Sequence, residues 1–315
     1  MRLCLHALFV SGIAATAITT PAQASNYKSF VSSAGVDTNI CTIGAPCHTI
    51  SHALSQTVGG GVVSCLDSGD YSEIVTISTS VTIDCGATTA GFGPFTINGA
   101  NIDVTIKNGL IFDEYSTGIA FLKGAKLTVD NVSIATITTG ASAAGIAFTP
   151  AAPGGKLSVH NTHIESVGVP SSGAFTGGFG LIVQPTGSGS VATVDIDNTW
   201  IEYCAEGIYI NAGAGTQVNL EMRDSRISQQ AWAALAAYSS GGNTYVNLDH
   251  NTFSNSGYGV YSSGAGSYVF LSNSLISGNS AGLVFDTGGH LVSYANNHVS
   301  LNSVDGSPSA TTTAK

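Results

Sequence analysis

The chain has 315 residues, of which 43% are hydrophobic and only 9% are charged, and its formal net charge is −10. A net negative chain is a poor partner for nucleic acid or an anionic membrane, and a neutral polysaccharide suits it better than an acidic one. The many Gly, Ser, Thr, Asn, Val and Ile residues favour strands joined by tight turns over helices.

Residues 1–24 have the features of a secretory signal peptide. Arg2 supplies the charge, residues 3–18 form the apolar segment, and Ala22-Gln23-Ala24 is a small-x-small cleavage site. The apolar segment is too short to be a membrane span, and no other segment is long enough. We therefore expect a secreted or periplasmic protein, cleaved after Ala24, without a transmembrane segment.

Residues 27–71 predict an N-terminal cap with the first strand of the following domain. Phe30-Val31-Ser32 has the pattern of a short strand, and residues 47–54 have helical spacing of their apolar side chains. The glycines at 59–61 are expected to stop this helix before a strand at 62–65. A solenoid needs such an end piece, because its first coil would otherwise expose an apolar core and unpaired strand edges.

A polar residue followed three places later by an apolar one recurs through residues 108–299. Successive apolar members are 23, 30, 37, 26, 26, 23 and 23 residues apart, which is typical of a solenoid with loop insertions. The polar members are of the types that best tolerate the left-handed backbone of a sharp corner, and stacked amides can bond one another along the axis. The polar series is Asn108, Asn131, Asn161, Asn198, Asp224, His250, Asn273 and Asn296, and the apolar series is Ile111, Ile134, Ile164, Ile201, Ile227, Phe253, Ile276 and Val299.

Each coil is predicted to contain three strands. In one coil these are residues 207–210, residues 217–223 and a short strand around Ile227, with Asp224 at the corner before it. Insertions are expected at 135–144, 165–179 and 184–190. The domain would cover residues 25–303, followed by a disordered polar tail at 304–315.

Four cysteines near the N-terminus suggest two disulfides, with three possible connectivities. We favour Cys41–Cys47, which closes a short loop, and Cys65–Cys85, whose separation is close to one coil. A zinc site would need a Cys-x-x-Cys pair, which is missing, so no metal site is predicted. Cys204 is expected to be a buried free thiol.

The cap motifs resemble those of a known superfamily. Phe30-Val31-Ser32, the Pro-Cys-x-Thr-Ile-x-x-Ala-Leu motif at 46–54, Gly61-Val62-Val63 and Gly69-Asp70-Tyr71 look like the opening of secreted β-helix proteins of the pectin-lyase-like superfamily. The repeats extend the resemblance over residues 28–303. It implies an all-β, right-handed parallel β-helix solenoid with a short N-terminal α-helical cap. It implies little about activity, because the superfamily includes lyases, hydrolases, epimerases and adhesins.

The outward row of the first strand argues against the usual enzymes of the superfamily. In its pectin-degrading members the catalytic groups cluster on that face, where this chain lacks any acid or base. An Asp-rich calcium site and a lyase's basic residue are also missing, so no cofactor is expected, although calcium remains possible. The apolar row is expected either to be covered by Phe175 and Phe179 or to form a homo-oligomer contact through Ile182, Tyr209, Tyr261 and Val284. The full row is Ala120, Ala147, Ile182, Tyr209, Ala236, Tyr261 and Val284.

Stacking of the coils would gather the chain's few charged residues on one wall. A carbohydrate site is one interpretation, with Trp200 on a sugar face and polar groups on its hydroxyls; solvated ion pairs are the other. The candidate ligand-binding residues are Trp200, Asp195, Asp197, Glu221, Arg223 and His163, and the candidate acids or bases are His160, Asp197 and Glu202.

The function predicted from these features is an exported carbohydrate-interacting or structural surface protein, with a polysaccharide or cell-surface glycan as its partner. The alternative is a polysaccharide lyase or glycoside hydrolase with a site displaced from the usual face of the superfamily.

Overall fold

The structure is a computed structural model, which describes residues 25–86, 90–112, 117–135, 143–168, 170–171, 174–175 and 178–312. The predicted signal peptide and most of the predicted insertion at 135–144 lie outside these residues. Among the described residues, no helix is long and apolar enough to cross a membrane.

The described chain is a parallel β-solenoid of about eight turns with one short helix, which confirms the predicted fold class. The helix α1 is Ile50–Gln56. The strands of the first half are β1 Asn26–Val31, β2 Thr57–Cys65, β3 Asp70–Ile77, β4 Val81–Asp84, β5 Gly91–Asn98, β6 Asp103–Phe112, β7 Thr117–Lys123, β8 Lys126–Ala135, β9 Ala144–Phe148, β10 Gly154–His160, β11 His163–Glu165, β12 Pro170–Ser171, β13 Ala174–Phe175 and β14 Phe179–Val183.

The strands of the second half repeat with little variation in length. They are β15 Val191–Asp197, β16 Trp200–Glu202, β17 Glu206–Gly213, β18 Gln217–Arg223, β19 Arg226–Ser228, β20 Ala233–Ser240, β21 Asn243–Asp249, β22 Thr252–Ser254, β23 Tyr258–Ser263, β24 Ser267–Ser272, β25 Leu275–Ser277, β26 Ala281–Asp286, β27 His290–Ser293, β28 His298–Ser300, β29 Val304–Gly306 and β30 Ala310–Thr311.

Parallel pairing between coils builds three faces. The first face contains β3, β5, β7, β9, β14, β17, β20, β23, β26 and β29. The second face contains β1, β2, β4, β6, β8, β10, β15, β18, β21, β24, β27 and β30. The third face runs from the ends of β6 and β8 through β11, β16, β19, β22, β25 and β28.

Alternation of apolar and polar residues decides which side chains enter the core. On β18, Val218, Leu220 and Met222 are 2% exposed or less, whereas the intervening Glu221 is exposed. On the third face, Ile164, Ile201 and other members of the predicted apolar series stack one above another and are buried. The parallel stack therefore places the same residue type at the same depth in successive coils.

The polar series forms the corner between the second and third faces. Seven of its eight members have positive φ angles, from 45° at Asn198 to 58° at Asn108, as the left-handed corner requires. In the last coil Ala295, with a φ of 63°, takes this conformation instead of the predicted Asn296. Amide groups bond along the axis: Asn198 Nδ2 donates to Asn161 Oδ1 at 2.8 Å, and the same ladder continues elsewhere in the series.

The cap contains the helix predicted from the sequence, but the helix ends for a different reason. Thr49 caps α1 by accepting a hydrogen bond from the His52 N–H. The helix ends at Gln56 because Thr57 is extended and its hydroxyl donates to the Ala53 carbonyl oxygen at 2.7 Å. The glycines at 59–61 do not stop the helix; they lie inside β2.

Two disulfides join the pairs that were favoured from the sequence, Cys41–Cys47 and Cys65–Cys85, each with a Cα–Cα distance of 4.7 Å. The second joins the ends of two paired strands of successive coils, β2 and β4. The first closes a loop beside α1.

The solenoid continues past residue 303, where the sequence predicts a disordered tail. β29 pairs with β26, and β30 pairs with β27, so both strands add to existing faces. Open strand edges accept a short polar strand because the pairing uses backbone groups, which do not depend on side-chain type.

Replacing Asn198 separates the two roles of the corner amide. In Asn198→Ala the left-handed backbone costs about 1–2 kcal/mol and the ladder bond is lost, whereas Asn198→Gly loses only the ladder bond. We expect a lower urea midpoint for both variants and a larger decrease for alanine. Equal decreases would show that the backbone conformation contributes nothing at this corner.

Candidate functional site

Six aromatic side chains form one connected cluster on the outside of the first face. We call this cluster, Phe179, Tyr209, Trp232, Tyr238, Tyr258 and Tyr261, the aromatic face. Neighbouring ring centroids are 5.3 Å to 6.4 Å apart, from Phe179–Tyr209 at one end to Tyr258–Tyr261 at the other. Every ring is partly exposed, so the cluster presents aromatic surface to solvent across four successive strands.

Register explains how these rings meet. Tyr209 pairs with Ala236, which pairs with Tyr261, so two tyrosines flank a small residue in one outward row. Ala236 is fully buried although it faces outward, because the rings of Trp232 and Tyr238 close over this row. Because the Ala236 side chain is small, it leaves room for the neighbouring rings.

Glu206 lies at the start of β17 on the same face and is only 7% exposed. Its Oε1 atom is buried without a hydrogen-bond partner. Burial raises the pKa of this carboxyl to about 8, so at neutral pH it is mainly a neutral carboxylic acid. Burial, and after it the charge of Glu206, also raises the pKa of Tyr238.

Two further polar groups lie among the tyrosines. The Tyr261 hydroxyl donates to Asp286 Oδ2 at 2.7 Å, and the Asn211 amide donates to the Tyr209 hydroxyl at 3.1 Å. Hydrogen bonds from Ser263 and Tyr261 lower the pKa of Asp286. The Asn211 Oδ1 atom is buried and has no hydrogen-bond partner.

The charged wall predicted from the sequence has the predicted register on the second face. His160 pairs with Asp197, which pairs with Arg223, and Asp195 pairs with Glu221. Arg223 contacts both aspartates, with Nη1 3.4 Å from Asp195 and Nε 3.4 Å from Asp197. These side chains are about one-third to one-half exposed, so the ion pairs add little to stability.

His160 and Asp197, which the sequence suggested as an acid–base pair, are not hydrogen-bonded to each other. The two residues are neighbours in the row, but no hydrogen bond joins their side chains in the described structure, and Asp197 faces Arg223 instead. Glu221 is exposed and has no described ion pair. The wall therefore offers polar groups to a ligand without a preformed acid–base pair.

Trp200 is on the third face and is 57% exposed. The His163 ring lies beside it, edge-on, with centroids 6.2 Å apart. His163 Nε2 is 3.1 Å from Glu202 Oε1 and 4.0 Å from Glu165 Oε2. The structure therefore brings Trp200, His163 and Glu202 together, while Asp195, Asp197 and Arg223 form a separate group around the corner.

Cys204 is a buried free thiol, as the sequence predicts. Burial raises its pKa to about 12, which keeps it protonated and unreactive.

The expected cover of the apolar row is confirmed for one residue. Phe179 contacts Tyr209 with ring centroids 5.4 Å apart, but it does so from strand β14 and not from a loop. The side chain of Phe175 lies outside the described residues. A homo-oligomer contact through Ile182, Tyr209, Tyr261 and Val284 remains a prediction.

The outward row predicted for the first face does not contain Glu206, Trp232 or Asp286. These residues lie before or after that row along the strands. The available signal was composition: a carboxylate directly before the apolar run 207–210 is unusual in a chain that is 9% charged.

Residues 207–311 match the family model described as "Right handed beta helix region". The chain carries a right-handed β-helix region. This match covers the strands that supply most of the aromatic face, and with the parallel solenoid it confirms the β-helix that the repeat and the cap motifs predicted.

Solved structures similar to this β-helix include a rhamnogalacturonan lyase (14% identity, 89% of this chain and 88% of that chain, TM-score 0.49). The pectate lyase Pel9A is 14% identical, with 87% of this chain and 70% of that chain covered and a TM-score of 0.44. The GH136 lacto-N-biosidase from Eubacterium ramulus is 11% identical, with 91% of this chain and 67% of that chain covered and a TM-score of 0.42. No curated protein matches the sequence. With these identities and TM-scores, none of these activities is transferred to the β-helix described here.

Glu206 makes stability depend on pH. The folded-state pKa of Glu206, about 8, lies above the ordinary value of 4.5. The contribution of this residue to the free energy of unfolding is therefore largest below about pH 4.5 and falls as the pH rises to about 8. Glu206→Gln should remove this decline, so its thermal unfolding midpoint should exceed that of the wild type most clearly at pH 8. Parallel pH profiles for the two proteins would contradict the buried neutral acid.

Proposed function

We propose that this β-helix binds a neutral glycan on the aromatic face. The observation that carries the proposal is the six partly exposed rings on one side of the solenoid, with polar groups placed among them. Binding sites for small molecules and sugars combine apolar and aromatic walls with a few polar groups that fix orientation. The rings provide the walls, and the exposed carboxylate of Asp286 provides an acceptor for hydroxyl groups.

Charge supports a neutral ligand over an acidic one. The polar members of this surface are acidic or neutral, and the whole chain has a net charge of −10. An acidic polysaccharide would be repelled from Asp286 and from the chain as a whole. We therefore expect a neutral polysaccharide or the neutral part of a cell-surface glycan to be preferred over polygalacturonate, and the protein to act outside the cell, as the N-terminal sequence predicts.

Glu206 supports glycoside hydrolysis as a second candidate function. A general acid must be protonated at the working pH, and the pKa of about 8 meets this requirement. Hydrolysis also needs a second carboxylate beside the scissile bond. Asp286 is the other carboxylate described on the aromatic face, and it lies three coils from Glu206, so binding without turnover is the better-supported function.

Trp232 provides the test of the binding site. Affinity electrophoresis in gels containing a β-glucan, a xylan or polygalacturonate should show retardation of the wild type by a neutral polymer. Trp232→Ala should weaken this binding at least about tenfold, which corresponds to about 1.4 kcal/mol. Unchanged far-ultraviolet circular dichroism would exclude unfolding as the cause.

Trp200→Ala is the matched control, since it removes the same side chain from an exposed position outside the aromatic face. It should bind as the wild type does. Loss of binding in this variant alone would place the glycan site on the third face around Trp200. New reducing ends that disappear in Glu206→Gln would establish hydrolysis. A wild type that neither binds nor cleaves any polymer would contradict both functions and favour a structural or adhesive solenoid.

A further inference from the structure

Three potential metal ligands converge on the third face, away from the aromatic face. β11 and β16 pair in register, so Glu165 lies directly beside Glu202 and His163 beside Trp200. His163 Nε2 is 3.1 Å from Glu202 Oε1 and 4.0 Å from Glu165 Oε2, and one donor atom of each residue lies within 4.8 Å of the other two. One imidazole nitrogen and two carboxylates therefore surround one point.

Two carboxylates side by side in neighbouring strands repel each other. The residues that flank them in the same row are Ala135 and Ser228, which carry no charge. Arg226 pairs with Trp200 in the adjacent row and makes no ion pair in the described structure. The described contacts of the two glutamates therefore provide one imidazole to offset two negative charges.

Ser228 is an independent sign that this site holds a ligand. It pairs directly with Glu202, and side chains at paired positions of parallel strands project to the same side. Ser228 is 1% exposed, and its Oγ atom is buried without a hydrogen-bond partner. A buried hydroxyl without a partner costs free energy, so an unsatisfied oxygen lies at the position paired with Glu202, in the row of the two glutamates.

We propose that His163, Glu165 and Glu202 bind a divalent transition-metal ion of the zinc type. Zinc takes nitrogen and oxygen ligands at about 2.0–2.2 Å, and sites with three protein ligands keep a position for water. Ligand atoms around such an ion are about 3.4 Å apart, so the observed separations need only small side-chain rotations. Calcium is a poorer fit, because it takes six to eight oxygen ligands and this cluster includes an imidazole.

The ion has a structural consequence that follows from the position of its ligands. Glu165 is the last residue of β11, and the predicted insertion at 165–179 begins there. An ion coordinated by both Glu165 and Glu202 would link the start of this insertion to the next coil. The open coordination position would lie next to the exposed ring of Trp200.

Isothermal titration calorimetry of the protein without an affinity tag tests the proposal, with zinc chloride and calcium chloride as separate titrants. We expect one zinc ion per chain and much weaker binding of calcium. His163→Ala should weaken zinc binding at least about tenfold, and Glu202→Gln should also weaken it. Zinc should raise the thermal unfolding midpoint of the wild type but not that of His163→Ala.

His160→Ala and Glu221→Gln are matched controls, because each removes the same residue type from the neighbouring face outside the cluster. Both should bind zinc as the wild type does. The proposal is overturned if the wild type binds no zinc, if His163→Ala binds it with unchanged affinity, or if calcium binds as tightly. Equal loss in His160→Ala would also overturn it, by moving the ion to another site. None of these outcomes depends on glycan binding.

Discussion

Parallel hydrogen bonding between coils fixes the register of this solenoid. Because the strands of each face pair only with the strands of adjacent coils, a side chain at one position must be compatible with the side chains directly above and below it. The corner shows the consequence most clearly. A left-handed backbone recurs at Asn161, Asn198 and Asp224, and the amides also bond along the axis, so one residue type serves both backbone and ladder.

The same constraint separates the parts of the chain that can vary from those that cannot. Inward positions form uninterrupted apolar stacks, such as Ile164, Ile201 and Ile227, and a polar residue there would be buried beside two apolar neighbours. Outward positions are free to differ, and insertions enter between strands without shifting the register of the following coil. Successive coils of 30, 37 and 26 residues therefore stack on one another.

Function in such a structure comes from groups that stacking brings together on the outside. The aromatic face combines rings from several coils and from different positions along the strands, with small alanines between them. The charged wall draws its groups from two rows, and Arg223 forms an ion pair with an aspartate in each row. A surface whose polar groups already satisfy each other offers less to a ligand than one that presents partly exposed aromatic rings.

The sequence by itself determined the β-helix, all but the last of the predicted corners and the rows on the charged wall, because these depend on periodicity along the chain. It favoured the disulfide pairing that the structure has, out of three connectivities. Tertiary structure decided the rest. Trp232 and Tyr261 are in different coils and at different positions of the repeat, so the contact between their rings depends on side-chain packing over Ala236. Likewise, the predicted rows place His160 beside Asp197, but the Asp197 side chain forms an ion pair with Arg223 instead. His163 contacts Glu202, which is in a different row.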